Sequence, residues 1–293
     1  MRIRKILSSL YRFVLLMLPY NIRESVEFYR HLGYLPNIDN PVTFNEKVQF
    51  MKKNWSDSKL TDYSDKIKVK EIVKNVLGSE FVIDNLYVGD KLTKDILLRT
   101  LNDNPNGIVV KANHNSGPVH ILNGNEADSK LDYVVDSINE QLLEDFGLRA
   151  NERWYSNIKP KVLIEKRLID PFELKDYKFH VFNSDAGPKV FLHVDYQRGS
   201  NHNRSFFDEN GKWLPFSTLY PTVVTELEYI GKFDEMKRMA IQLASAFDYA
   251  RVDFYFVDER IYFGEVTFAH GGGFEKFTTK AYDTYLGRHW IIK

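Results

Sequence analysis

The sequence predicts an α+β protein, and three observations carry that prediction. Residues 21–54 keep an apolar spacing close to that of a helix. From Phe81 onward, short runs rich in β-branched and aromatic residues read as strands. After the strands comes a helix at Phe233–Phe247, and then two apolar runs within Arg251–Thr267 that suit a hairpin. No segment repeats and none is of low complexity.

With 293 residues, 43% hydrophobic and 14% aromatic, the chain can bury one large core or two medium ones. Forty basic residues balance forty acidic ones, so no overall field favours nucleic acid and any anion site must be local. The absence of cysteine excludes disulfides, thiolate metal sites and a cysteine nucleophile, and suits a reducing cytoplasm.

Arg2, Arg4, Lys5 and Arg12 surround Ile3, Ile6, Leu7, Leu10, Phe13, Val14 and Met17 at helical spacing. The apolar run Phe13–Leu18 is far short of the roughly 20 residues that span a bilayer. Such a helix suits docking on the protein's own core, or a peripheral contact of residues 1–20 with the inner face of the cell membrane. Gly33, Pro36 and Pro41 break the helical stretch that follows, and PVTFNEKVQFMKKNW restarts it with Thr43 as N-cap and Glu46 at the capping-box position. TDYSDKIKVKEIVKNVLG predicts another helix, capped by Ser64, stopped by Gly78 and carrying Lys66, Lys68, Lys70 and Lys74 on a solvated face.

Phe81–Val88 and Gly107–Lys111 predict short strands. Ile108–Gly117 delivers Lys111 at a strand end, followed by a small polar loop closed by Ser116 and Gly117. Backbone N–H groups of such a loop can cradle phosphate, or the segment is an ordinary strand-end turn; it lacks the spacing of a Walker P-loop. Leu131–Phe146 predicts a helix ending at Gly147. Lys161–Leu168 is a strand that turns polar at Glu165, and Asp176–Phe182 alternates like a half-buried strand. In the loop beyond it, Arg198, His202 and Arg204 can grip a carboxylate or phosphate, or pair with Asp195 and Asp208.

The hairpin concentrates the chemistry. If Asp258, Glu259 and Arg260 form its turn, Asp253 falls opposite Glu265, with Arg251 on the same face opposite Thr267. Two carboxylates about 5 Å apart repel unless a cation lies between them, and either Arg251 or a hard divalent metal can supply it. A two-residue turn would instead shift the register and send Glu265 to the other face.

Taken in order, NPVTFNEKVQFMK, SDKIKVKEIV, VVKANHNSG, VLIEKRL, DYKFHVFN and RVDFYFVDERIYFGEVTF resemble the ATP-grasp superfamily, in the branch named after the teichuronopeptide-biosynthesis protein TupA. The resemblance runs from about Pro41 to the C-terminus. It implies two α+β lobes clasping ATP, at about residues 61–163 and 164–293, behind an N-terminal helical extension of residues 1–60. It also implies that Lys66 and Lys111 meet ATP phosphates beneath the Asn113–Gly117 loop, that Glu165 and the backbone near Leu168 form the adenine hinge, and that Asp176 binds ribose. Lys178 becomes a further phosphate ligand, Asp253 and Glu265 hold Mg²⁺, and Arg251 stabilises the reacting acyl group. Where the family commonly has a third metal ligand, Asn, this chain has Thr267.

The implied activity is an ATP- and Mg²⁺-dependent ligation of a carboxylate to an amine through an acyl phosphate, on a cell-surface polysaccharide or its precursor. Arg198, His202 and Arg204 are then expected to bind the acid. A sugar transferase working without ATP and a non-catalytic nucleotide-binding module are the alternatives.

Overall fold

A computed structural model describes residues 17–228 and 231–292, together with Tyr11, Val14 and Leu15. The amphipathic segment expected at residues 2–17 lies almost wholly outside them. Among the described residues no helix is long and apolar enough to cross a membrane.

The chain opens with α1, Tyr20–Leu32, closed by Gly33 at φ +82°. Helix α2, Phe44–Asn54, begins on the expected capping box: the Glu46 N–H donates to Thr43 Oγ1 at 3.2 Å, and Glu46 Oε2 accepts the Thr43 N–H at 3.0 Å. The helix expected next is two, α3 at Lys59–Ser64 and α4 at Lys68–Val76. Ser64 does not cap; Asp65 interrupts the helix and its carboxylate accepts the Ile67 N–H at 2.9 Å. Only part of the lysine face is solvated, because Lys70 is buried while Lys68 and Lys74 stay exposed.

The first sheet has four antiparallel strands in the order β1-β4-β2-β3: β1 Asn85–Gly89, β2 Ile108–Ala112, β3 His120–Leu122 and β4 Val162–Lys166. A 3-10 turn at Ser79–Phe81 takes the start of the strand expected at residues 81–88. Between β1 and β2 lies a helix that the periodicity did not announce, α5 Lys94–Asn102, capped by Thr93. α6 Asp128–Leu142 and α7 Phe146–Ala150 follow β3. Ile108, Val110, Val162 and Ile164 bury one face of this sheet with Leu97 of α5 and with Val134 and Ile138 of α6. Alternation puts Lys111 and Glu165 on the other face.

The second sheet has six antiparallel strands in the order β10-β9-β5-β6-β7-β8. These are β5 Asp176–Phe182, β6 Lys189–Tyr196, β7 Asn203–Phe207, β8 Trp213–Leu214, β9 Tyr249–Val257 and β10 Arg260–Thr267. α8, Phe233–Ala244, lies along its apolar face, where Phe179 meets Phe233. The strand Asp176–Phe182 is buried throughout, not half-buried, so the polar residues alternating along it face a second covered layer and not solvent. That layer includes α2: Phe44 packs edge-on against Phe182 and Tyr249, and shares one core with the second sheet. α2 is also tied to α9, Lys280–Gly287, where the Asp283 carboxylate accepts the Asn45 N–H at 3.0 Å and its side-chain amide at 2.8 Å.

The hairpin turn has two residues, Asp258 and Glu259, both at positive φ, and Val257 pairs with Arg260. That alone would have misplaced Glu265. A β-bulge at Gly264 takes up one residue, so Phe263 faces Phe254 and Glu265 faces Asp253. Glycine suits the bulge, since a Cβ there would stand 3.1 Å from the Asp253 carbonyl oxygen and 3.2 Å from the Tyr255 ring.

Candidate active site

Period-2 alternation gathers one set of polar side chains on the face of the second sheet away from α8. Direct pairing aligns Glu265 with Asp253, Asp253 with Lys178, Arg251 with His180, and Asp195 with both Asp176 and Arg204. Arg251 grips Asp253 with both arms, Nε to Oδ1 and Nη2 to Oδ2 at 2.7 Å each, and Nη2 also reaches Glu265 Oε1 at 2.8 Å. Lys178 Nζ adds a 2.8 Å bond to Asp253 Oδ2. Burial would raise the Asp253 carboxyl, but Arg251 and Lys178 outweigh it and hold the group far below the usual carboxylate range.

Asp253 and Glu265 offer carboxylate oxygens, and the Thr267 hydroxyl lies 3.4 Å from Glu265 Oε1. Among the described residues Glu265 Oε2 has no partner, and the Glu265 side chain is 44% exposed. An all-oxygen set with one open carboxylate suits a hard divalent cation such as Mg²⁺, so the residues fit the metal that the sequence implies.

The first sheet supplies lysines. Lys111 Nζ lies 2.5 Å from Glu165 Oε2, and Lys70 Nζ lies 2.5 Å from the other oxygen of the same carboxylate. Burial alone would raise the Glu165 carboxyl; the two lysines overcome it and hold the group ionised, below its ordinary range. Lys66 donates through Nζ to the Asn115 carbonyl. Burial lowers its ammonium to about 8, with Lys111 adding to the fall and Glu265 and Glu165 opposing it. Lys66 therefore senses carboxylates of both sheets, Glu165 on the first and Glu265 on the second.

The Asn113–Gly117 loop is pinned at its base. Asn113 Nδ2 donates to Asp65 and its Oδ1 accepts the Lys161 N–H, while Asn115 Oδ1 accepts the Gly117 N–H at 3.1 Å. That N–H is therefore committed, and Ser116 stands exposed at the tip. At the hinge, the Leu168 backbone N–H and C=O make no hydrogen bond among the described residues. Asp176 is buried against Lys178 at 3.3 Å and against Arg198.

Arg198, His202 and Arg204 do not converge on one point. Arg198 reaches Asp176, whereas His202 and Arg204 meet at Asp195 Oδ1, at 3.1 and 2.7 Å. Arg204 also donates to Thr218 Oγ1 at 2.9 Å and Glu275 Oε2 at 2.6 Å. Asp208 serves its own turn, accepting the N–H groups of Asn210 and Lys212.

Several residues here were not singled out in the sequence: Lys70, Glu152, His180, His193, His270 and Glu275. For His180 and His193 the signal was polar residues at alternate positions of otherwise apolar strands, as at 176, 178 and 180 or at 193 and 195; Lys70, Glu152, His270 and Glu275 lie off the strands and had no such signal. Arg251 Nη1 donates to His270 Nδ1 at 2.7 Å, and His270 Nε2 lies 3.1 Å from Glu275. His180 joins Tyr249 to His193, and His193 continues to Asp195. Nitrogens of the three histidines lie within 4.8 Å of one another, close enough for a metal. They are already engaged with one another and with Arg251, Asp195 and Tyr249, and Arg251 and Arg204 flank them, so the cluster is a hydrogen-bonded lattice under the site. Burial, aided by those cations, keeps the imidazoles neutral, His193 down at about 3.

Two antiparallel sheets, one bringing Lys111 and the other the carboxylate hairpin, belong to an ATP-grasp protein. A family profile described as TupA-like ATP-grasp matches residues 46–291, and the chain belongs to that family. Similar solved structures include D-alanine-D-alanine ligase from Helicobacter pylori, at 17% identity and TM-score 0.48, covering 78% of this chain and 61% of that one. An ADP complex of N5-carboxyaminoimidazole ribonucleotide synthetase shows 14% identity and TM-score 0.45, over 76% and 50% of the two chains. D-alanyl-alanine synthetase A from Vibrio cholerae O1 biovar eltor str. N16961 shows 10% identity and TM-score 0.46, over 70% and 55%. The chain thus spans half to three-fifths of the length of these structures. A search of curated proteins finds no match to it.

Proposed function

We propose that the protein is an ATP- and Mg²⁺-dependent ligase that couples a carboxylate to an amine through an acyl phosphate. The observation that carries this reading is the hairpin pair itself, where Arg251 ties Asp253 to Glu265 and one Glu265 oxygen stays open, with Lys66 within electrostatic reach of Glu265 and Glu165. A carboxylate has a poor leaving group; transfer of the ATP γ-phosphoryl supplies a good one, and an amine then displaces phosphate to give an amide. No protein nucleophile is needed, and the work is charge placement.

Lys66, Lys111 and Lys178 neutralise phosphate oxygens, and the free Leu168 backbone groups suit the edge of adenine, with Asp176 on the ribose. Asp253 and Glu265 would hold Mg²⁺, which neutralises phosphate charge when bound. The Arg251 fork, fixed from behind by His270, is placed for the reacting acyl oxygen. Of the three residues expected at the acid, Arg198, whose side chain is 57% exposed, is assigned to it, while His202 and Arg204 are held by Asp195. The family's namesake supports an acid such as a uronic acid and an amine such as an amino acid, joined on a surface polysaccharide or its precursor, in the cytoplasm. Incubation with ATP, Mg²⁺ and pooled uronic and amino acids should release ADP and phosphate. Sugar transfer without ADP, or nucleotide binding with no turnover under any pairing, would sink the proposal.

A further inference from the structure

The cleft residues assigned so far bind anions or a metal, yet the proposed reaction also needs a place for an ammonium group. Glu152 follows α7 in a backbone fixed on both sides: its N–H donates to the Gly147 carbonyl at 3.0 Å and its carbonyl accepts the Tyr155 N–H at 2.9 Å. The residue is 9% exposed, and among the described residues no group hydrogen-bonds or ion-pairs with its carboxylate. Lys52, the nearest cation by electrostatic influence, is already committed to Glu24 at 3.3 Å and to the Gly272 carbonyl at 3.1 Å. The same network leaves two further buried acceptors without donors, Asn151 Oδ1 and Gln49 Oε1. Their amide nitrogens fix the assignment, since Asn151 donates to Glu24 and Gln49 to the Gly272 carbonyl. A buried carboxylate beside unmet acceptors is costly unless a cationic donor arrives. Glu152 also lies within the electrostatic reach of Glu265 and Arg251, and its neighbour Asn151 is joined through Glu24 and Lys52 to Gly272, two residues from the His270 that meets Arg251.

We propose that Glu152 receives the ammonium group of the amine substrate and presents that substrate to the carboxyl held at Arg251. The inference rests on the ligase reading, and it makes the amine site a joint product of α7's loop and the second sheet. Burial, which pushes the Glu152 carboxyl up to about 7, has the sign expected of a carboxylate that takes a cationic partner.

The test uses the full chain with Mg²⁺ and the non-hydrolysable analogue AMP-PNP, titrated calorimetrically with each common amino acid and with its N-acetyl derivative. At least one amino acid should bind the wild type. It should bind Glu152→Gln at least tenfold more weakly and Glu152→Asp to an intermediate degree, with AMP-PNP affinity unchanged. The N-acetyl derivative, lacking the ammonium, should not distinguish the variants. Equal binding to wild type and Glu152→Gln, or no amino acid binding to a nucleotide-loaded wild type, overturns the proposal. Failure of AMP-PNP to bind at all would instead sink the ligase reading, and this inference with it.

Discussion

Asp253 and Glu265 stand opposite each other but are not equivalent. Asp253 is buried and accepts from Arg251 and Lys178, whereas Glu265 shares one oxygen with Arg251 and shows the other to the cleft. Glu265→Gln should therefore abolish ATP turnover with a melting profile matched to the wild type. Asp253→Asn should abolish turnover too, but it leaves two buried cations short of a counter-charge and should cost about 3–5 kcal/mol in denaturant unfolding. Equal stability of the two variants would contradict that asymmetry. Lys111→Ala removes a contact to phosphate while Lys70 still neutralises Glu165. It should weaken nucleotide binding by about 1–3 kcal/mol, measured calorimetrically, with little loss of fold. Nucleotide affinity equal to that of the wild type would assign Lys111 to Glu165 alone.

The hairpin shows what an element can hide from its sequence. Composition marked its strands, and the facing of Asp253 by Glu265 was legible, but a three-residue turn was the wrong reason for it. The turn has two residues and Gly264 supplies the missing step. A bulge has no period to detect, and glycine inside a strand was its only trace. Gly264→Val should crowd the Asp253 carbonyl and the Tyr255 ring, moving the metal pair before it unfolds the sheet. Loss of Mg²⁺-dependent nucleotide binding at a melting temperature within a few degrees of wild type is the expected result, and unaltered binding would show that the bulge tolerates a side chain. The capping box of α2 was legible because its chemistry is local. The Glu165 partner of Lys70, the His180 partner of His193 and the Arg204 partner of Glu275 were not, since each lies on another element that only the fold brings near.

At the scale of the whole molecule, two sets of buried groups pull stability in opposite directions with pH. The neutral histidines have folded pKa values below the unfolded 6.5, reaching about 3 for His193, so their contribution is full above 6.5 and is lost as pH falls. Glu152 has the reverse sign: its folded value is about 7 against 4.5 unfolded, so its contribution is full below 4.5 and is lost as pH rises through 7. Removing that opposing group by Glu152→Gln should make the melting temperature fall more steeply between pH 7 and 4.5 than in the wild type. Parallel melting curves across that window would show that Glu152 titrates normally.

The tie between α2 and α9 sets an order of events during synthesis. Asn45 finds its carboxylate partner 238 residues later, at Asp283, and Phe44 belongs to a core whose other walls are strands made in the second half of the chain. On the ribosome, α2 therefore emerges long before the surface it covers, and must remain unmatched while the first sheet and its helices assemble beyond it. Closure over so long a span is slow because chain entropy is spent before the contacts repay it. The second sheet thus becomes complete only after Thr267 has been made, and a nascent chain halted before residue 280 would display the apolar side of α2 to any chaperone or protease within reach.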